Sequence, residues 1–156
     1  PVFGILSDIS PACQQDEIYR KNDTQLCSHC VYRIFYHIVF VTKYRRKVLT
    51  EAMRERLREH FSRLCENAGC ELTEFNGEAD HVHLLIDAHP SVAPSRLVNT
   101  LKTINSREIR REFSGEIAKY YWKPVFWHRA YCILSAGGAP LKILEQYIQD
   151  QGKEDG

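Results

Sequence analysis

No apolar run in the chain approaches the roughly 20 residues that a membrane helix needs, so no segment is expected to cross a bilayer. No basic segment followed by an apolar core opens the N-terminus, so no secretory signal is expected, and a cytoplasmic, reducing setting is. The motif CSHC at 27–30 has zinc-knuckle spacing, but no second CxxC and no HxxxH completes the four ligands of a structural zinc site. The six cysteines (Cys13, Cys27, Cys30, Cys65, Cys70 and Cys132) therefore read as reduced thiols, the last three as small core residues. There is no GFGFV-like stretch of the kind with which RNA-recognition modules present stacking aromatics. Nor is there a strong charge of one sign: 21 Lys and Arg face 20 Asp and Glu, for a net charge of +1.

What charge there is lies unevenly. KYRRK at 43–47 runs into a segment carrying Arg54, Arg56, Arg58 and Arg63, and a second basic set comprises Arg96, Lys102, Arg107, Arg110 and Arg111. Local basic stripes are the footprint of a nucleic-acid binder, and equally of solvated helix faces. Lys43, Arg45, Arg46 and Lys47 are the first candidates for phosphate contacts.

At 156 residues the chain is long enough for one domain with a real core. Residues 1–30 show no period and read as an irregular extension; the main domain is placed at 31–156. YRIFYHIVFVT (32–42) is rich in β-branched and aromatic residues and predicts a strand. Met53, Leu57, Phe61, Leu64 and Ala68 recur at helical spacing behind a capping Thr50, and Gly69 stops them. CELTEFNG (70–77) and HVHLLIDAH (81–89) predict two strands, and a helix follows with Val98, Leu101, Ile104 and Ile109 on one side. VFWHRAYCILS (125–135) predicts a fourth strand; after Gly137–Gly138, APLKILEQYIQDQ (139–151) predicts a last helix. The order β-α-β-β-α-β is the ferredoxin-like, α+β plan: a four-stranded antiparallel sheet with two helices on one face, here with an extra C-terminal helix.

Alternation along DHVHLLI (80–86) puts Val82, Leu84 and Ile86 on the helix-covered face and His81 and His83 on the other. Two imidazoles pointing the same way can hold one metal ion, or simply sit at a strand end, hydrogen-bonded. On the last helix Tyr147 and Gln151 are four apart, inside the apolar stripe of Leu141, Ile143, Leu144 and Ile148. A tyrosine there is ordinary core material; a buried glutamine amide needs a partner, which a metal can be. Together the four residues fit one chemistry, an incompletely ligated divalent ion beside a nucleophilic hydroxyl, suited to attack on a phosphate.

HIVFVTKYRRKVL (37–49), DHVHLLI (80–86), YCILSAGGAP (131–140) and QYIQDQ (146–151) together resemble the small single-tyrosine transposases of prokaryotic insertion sequences, in the superfamily named for its His–hydrophobic–His (HUH) motif. The resemblance spans roughly residues 31–151. It implies a ferredoxin-like homodimer acting on single-stranded DNA with hairpins near the element's ends, assisted by Mg2+ or Mn2+. It implies Tyr147 as the nucleophile that forms a 5′-phosphotyrosine, His81 and His83 as metal ligands, and Gln151 as the third ligand. For many members it also implies a last helix docked on the partner's sheet, with active sites shared between subunits; a helix folded back on its own subunit is the alternative. A domesticated relative acting on chromosomal repeats carries the same residues. A non-catalytic binding module of the same sheet plan, and a hydrolytic metallonuclease, are the readings from other classes.

Overall fold

A computed structural model of the chain describes residues 25–26, 31–135 and 149–150. The N-terminal extension up to residue 24, the CSHC motif, Gly137–Gly138 and most of the last helix, including Tyr147 and Gln151, lie outside the described residues. The chain divides into two units, Pro1–Arg33 and Ile34–Gly156. In the first, β1 (Gln25–Leu26) and β2 (Val31–Tyr32) pair antiparallel, with Gln25 opposite Tyr32.

The second unit carries β3 (Phe35–Val41), α1 (Glu51–Asn67), β4 (Glu71–Gly77), β5 (His81–Asp87), α2 (Pro94–Glu112), the single turn α3 (Ser114–Ile117) and β6 (Cys132–Ser135). The sheet order is β4-β5-β3-β6 with every neighbouring pair antiparallel, which is the ferredoxin-like βαββαβ arrangement. Thr50 caps α1, its hydroxyl accepting from the Met53 N–H at 3.3 Å, and Gly69 ends the segment at a φ of +77°. Met53, Leu57, Phe61 and Leu64 of α1 and Leu97, Val98, Leu101 and Ile109 of α2 join Val82, Leu84 and Ile86 of β5 in one buried cluster. Each such side chain contributes about 1.5–3 kcal/mol on burial. Ile104 is only partly buried against that core; Asn105 sits inside it instead, its Oδ1 accepting from the Trp127 indole N–H at 3.2 Å.

Two boundaries differ from the sequence reading. The strand expected over 32–42 divides, because Val31–Tyr32 pairs with β1 while Phe35–Val41 pairs with β5 and β6. The fourth strand, expected over 125–135, is confined to Cys132–Ser135. Phe126 and Trp127 have strand-like side chains, but they sink into the core, and Trp127 makes only an isolated bridge to Thr42. The carbonyls of His128, Arg129 and Ala130 accept from the Lys102 ammonium at 2.7, 2.8 and 3.4 Å rather than from a neighbouring strand.

Register fixes the opposite face. His81 lies across from Val41 and His83 from Val39, and directly opposed residues share a face. That face carries a second, smaller apolar cluster, Val39 and Val41 with Cys132 and Leu134 against them. The histidines thus sit on the side away from the main core, as alternation required.

Candidate metal centre and its basic loop

The turn between β4 and β5 is tight. The Glu78 N–H donates to the His81 carbonyl at 2.9 Å, and a Cβ on Gly77 would stand 2.9 Å from that same oxygen and 3.0 Å from Val82 Cγ1. Only glycine allows this approach, and it sets where β5, and so His81, begins.

The rings of His81 and His83 are 5.0 Å apart, edge to face. Asp80 precedes them, buried, with its Oδ1 2.7 Å from His81 Nδ1 and its Oδ2 accepting from Arg45 Nε at 2.9 Å. Burial pushes the Asp80 carboxyl up, but the hydrogen bonds from His81 and Arg45 outweigh it and hold the group below its ordinary value. An ionised carboxylate has no proton to give, so His81 Nδ1 is the donor. In the neutral ring the lone pair then sits on Nε2. Burial lowers the His83 pKa, the charges of His81 and His37 act the same way, and Glu78 opposes them. Divalent ions need deprotonated nitrogen ligands, and the lowered value of His83 suits that need. Glu78, Asp80 and His81 place donor atoms within 4.8 Å of one another. Of these, Asp80 is committed to His81 and Arg45, which makes it an orienting group for the imidazole.

Asp80 is fixed at its backbone as well. The Thr42 N–H donates to its carbonyl at 2.9 Å, and the fully buried Thr42 hydroxyl lies 3.0 Å from that oxygen and 2.7 Å from the Arg46 carbonyl. Between Thr42 and Arg46 the chain enters the left-handed region twice, at Tyr44 (φ 56°) and Arg45 (φ 49°). Two successive non-glycine residues there are uncommon, and the surrounding bonds must over-determine the conformation.

The four basic candidates of this loop have different fates. Arg45 is half-buried against Asp80, Lys43 lies over the Tyr44 ring at 4.9 Å, and Arg46 and Lys47 are exposed. Further along, Arg56 pairs with Glu112 and Arg63 with Glu108, so those two members of the basic stripe tie α1 to α2. Lys102, Arg107 and Arg110 line a groove of about 540 Å³ together with Arg129, and burial pulls Lys102 down to about 8. No described helix is long and apolar enough to cross a membrane.

The structure therefore brings His81 and His83 together, with Arg45 behind them. Tyr147 and Gln151 lie outside the described residues. Asp80 and Thr42 were not singled out by sequence. Strict alternation would send Asp80 to the face opposite His81; it reaches His81 because it belongs to the turn. The adjacent letters DH were the available signal.

Comparison with known proteins places this geometry. The family model described as IS200-like transposase matches residues 30–151. The transposase for insertion sequence element IS200 of Salmonella typhimurium is 31% identical over 133 residues, 85% of this chain and 86% of that protein. A crystal structure described as a transposase from Deinococcus radiodurans superposes with a TM-score of 0.75 at 28% identity, covering 81% of this chain and 97% of that one. A REP-associated tyrosine transposase bound to a REP hairpin has a TM-score of 0.50 at 10% identity, covering 79% of this chain and 68% of that one, a likeness of fold.

Proposed function

The chain belongs to the IS200-like transposases, and from that membership we propose that it is a metal-assisted strand transferase that cuts and rejoins single-stranded DNA through Tyr147. The observation that carries the reading is the Arg45–Asp80–His81 chain beside a half-buried His83 whose pKa burial lowers. A binding role for the same sheet gives no reason to orient one imidazole through a buried carboxylate; a hydrolytic metal site would use the same histidines, and Tyr147, by resemblance, is what favours strand transfer over it.

In this reading His81 and His83 hold Mg2+ or Mn2+, with Gln151 as the third ligand by resemblance. The ion, when bound, would polarise the scissile phosphate and offset its growing negative charge. The Tyr147 hydroxyl, again by resemblance, attacks phosphorus. The new bond is Tyr147 Oη–P; the bond broken is P–O3′; the 3′-oxygen leaves and takes a proton. Rejoining is the reverse, with a 3′-hydroxyl displacing the tyrosine, so bond energy is kept for the second step. Asp80 keeps its negative charge against the His81 N–H throughout.

The partner is single-stranded DNA with hairpins near the element's ends, a reading supported by the basic groove and, at the level of fold, by the hairpin-bound REP-associated protein. The 31% identity to an insertion-sequence transposase favours a mobile element over a domesticated repeat-processing role. The protein acts as a cytoplasmic homodimer with sites shared between subunits. The test is adduct formation: wild type with Mn2+ and a 3′-labelled single strand from the flanking genome, the label lying on the fragment that keeps the scissile phosphate, should give a protein–DNA band on a denaturing gel. Tyr147→Phe should bind the strand and give none. Label that still attaches to Tyr147→Phe protein moves the nucleophile elsewhere.

A further inference from the structure

Among the described residues the exposed large hydrophobics are Tyr44, Tyr120, Trp122 and Tyr131, and the first three belong to two loops that are tied together. The Tyr121 hydroxyl donates to the Lys43 carbonyl at 2.6 Å, and the Lys43 N–H donates to the Phe126 carbonyl at 2.8 Å. Trp122 is 88% exposed and Tyr44 49%. A ring of tryptophan's size left in water forgoes one of the largest gains a side chain can make by burial. Single exposed apolar residues need no explanation, but these are interleaved with cations. Lys123 lies 4.6 Å over the Trp122 ring, and Lys43 lies 4.9 Å over the Tyr44 ring. Arg46 and Lys47 extend the same loop, exposed.

Two further observations bind this apron to the histidines. The loop that carries Tyr44 is held in left-handed backbone, and the bonds that hold it run to Asp80, from Thr42 and from Arg45. Asp80 in turn orients His81. Backbone strain maintained by such contacts belongs to functional sites more than to connecting loops. Aromatic faces interleaved with cations are what single-strand binders present: bases stack on the rings while the cations hold the phosphates. A cation on one face of a ring leaves the other for a base and attracts the polyanion.

We propose that Tyr44 and Trp122 form a stacking platform for unpaired bases next to the scissile phosphate, with Lys43 and Lys123 holding the adjoining phosphates. The proposal rests on the reading that the chain acts on single-stranded DNA. It assigns to this loop pair the placement of the strand that enters the metal centre.

The experiment is fluorescence anisotropy with a labelled, unstructured single strand, using full-length wild type, Trp122→Ala, Tyr44→Ala, Trp122→Phe and Tyr44→Phe. Both sites are exposed, so thermal melts should coincide with wild type. Each alanine variant should weaken binding by roughly tenfold or more, the usual loss of one stacked base, and each phenylalanine should restore most of it. One abasic position in the oligonucleotide should weaken binding to wild type yet cost little more in Trp122→Ala. Alanine variants within twofold of wild type overturn the platform and leave the strand-transfer reading intact. Equal abasic penalties in wild type and in both alanine variants also overturn it. A wild type with no affinity for the unstructured strand overturns the platform, and adduct formation on a hairpin-bearing strand decides the strand-transfer reading separately.

Discussion

Replacing Asp80 by asparagine tests the centre at its most constrained point. The carboxylate uses both oxygens: Oδ1 accepts from His81 Nδ1 at 2.7 Å and Oδ2 from Arg45 Nε at 2.9 Å. Asparagine has the same shape but one acceptor oxygen. If that oxygen faces His81, Arg45 meets an amide N–H2 group; if it faces Arg45, the His81 N–H meets a donor. In the second arrangement the ring escapes by moving its proton to Nε2, the nitrogen proposed to bind the ion. Loss of an outer partner of this kind lowers metal affinity about 10- to 100-fold, which is about 1.4–2.7 kcal/mol. The fold should survive, because the Asp80 carbonyl stays bonded to Thr42 and the Arg45 side chain, 33% exposed, can turn to water. Calorimetric titration with Mn2+ near neutral pH gives the affinity directly. Arg45→Met is the control: it leaves the Asp80–His81 bond in place and should cost less than Asp80→Asn. Acid unfolding gives a second readout. A carboxyl held below its ordinary value stabilises the fold above about pH 3.9, and that stability is lost as pH falls through the lower folded value. Asp80→Asn should lose that part of the acid slope. A folded Asp80→Asn protein that binds Mn2+ within twofold of wild type would refute the orienting role.

His83 has a lowered pKa, so its neutral form stabilises the fold above about pH 6.5 and the contribution falls away as pH drops from there toward the folded value. His83→Leu should therefore flatten the melting temperature between pH 7 and 5, by about the ordinary titration range of histidine, and scanning calorimetry across that range is the check. Lys102→Met removes the ammonium that three carbonyls share, and should cost about 1–2 kcal/mol in urea unfolding, since water reaches part of that turn. An unchanged midpoint would mean that the turn before β6 holds itself. Mixing Tyr147→Phe with His83→Ala subunits tests shared sites: each is inactive alone, and a heterodimer should regain cleavage with adduct only on the His83→Ala chain. A dead mixture with the heterodimer confirmed places each site within one subunit.

Periodicity carried the fold. Alternation in VHLLI and helical spacing from Met53 to Leu64 each named a buried face, and one cluster holds both. It failed where side-chain character and backbone partner part company. Phe126 and Trp127 look like strand residues and are buried like them, yet the carbonyls that follow belong to Lys102, 26 and 27 residues upstream, and no local pattern announces such a bond. Charge was legible as composition and not as pairing. Arg56 and Arg63 read as members of a basic stripe, but Glu112 and Glu108 on α2 neutralise them from across the helix pair. Arg45 read as a phosphate contact by the same logic.

That Arg45 pairs with Asp80 is informative about the whole centre. The loop after β3 and the turn before β5 meet at one residue, Asp80, and hold it by two independent groups: Thr42 by its carbonyl, Arg45 by its carboxylate. A carbonyl contact alone would fix the chain and leave the side chain free to rotate. A carboxylate contact alone would fix the side chain to a loop that could itself shift. Together they leave His81 one tautomer, while the strand ladder opposite Val41 and Val39 sets the spacing of His81 and His83. The left-handed backbone at Tyr44 and Arg45 follows from the same requirement: the chain must turn back within a few residues of Thr42 for the Arg45 side chain to reach Asp80. Its strain, of order 1–3 kcal/mol per residue, is offset by a half-buried charge-assisted bond and by the Thr42 contacts. Loop, turn and strand are separate in sequence, and each fixes a degree of freedom that the other two leave open.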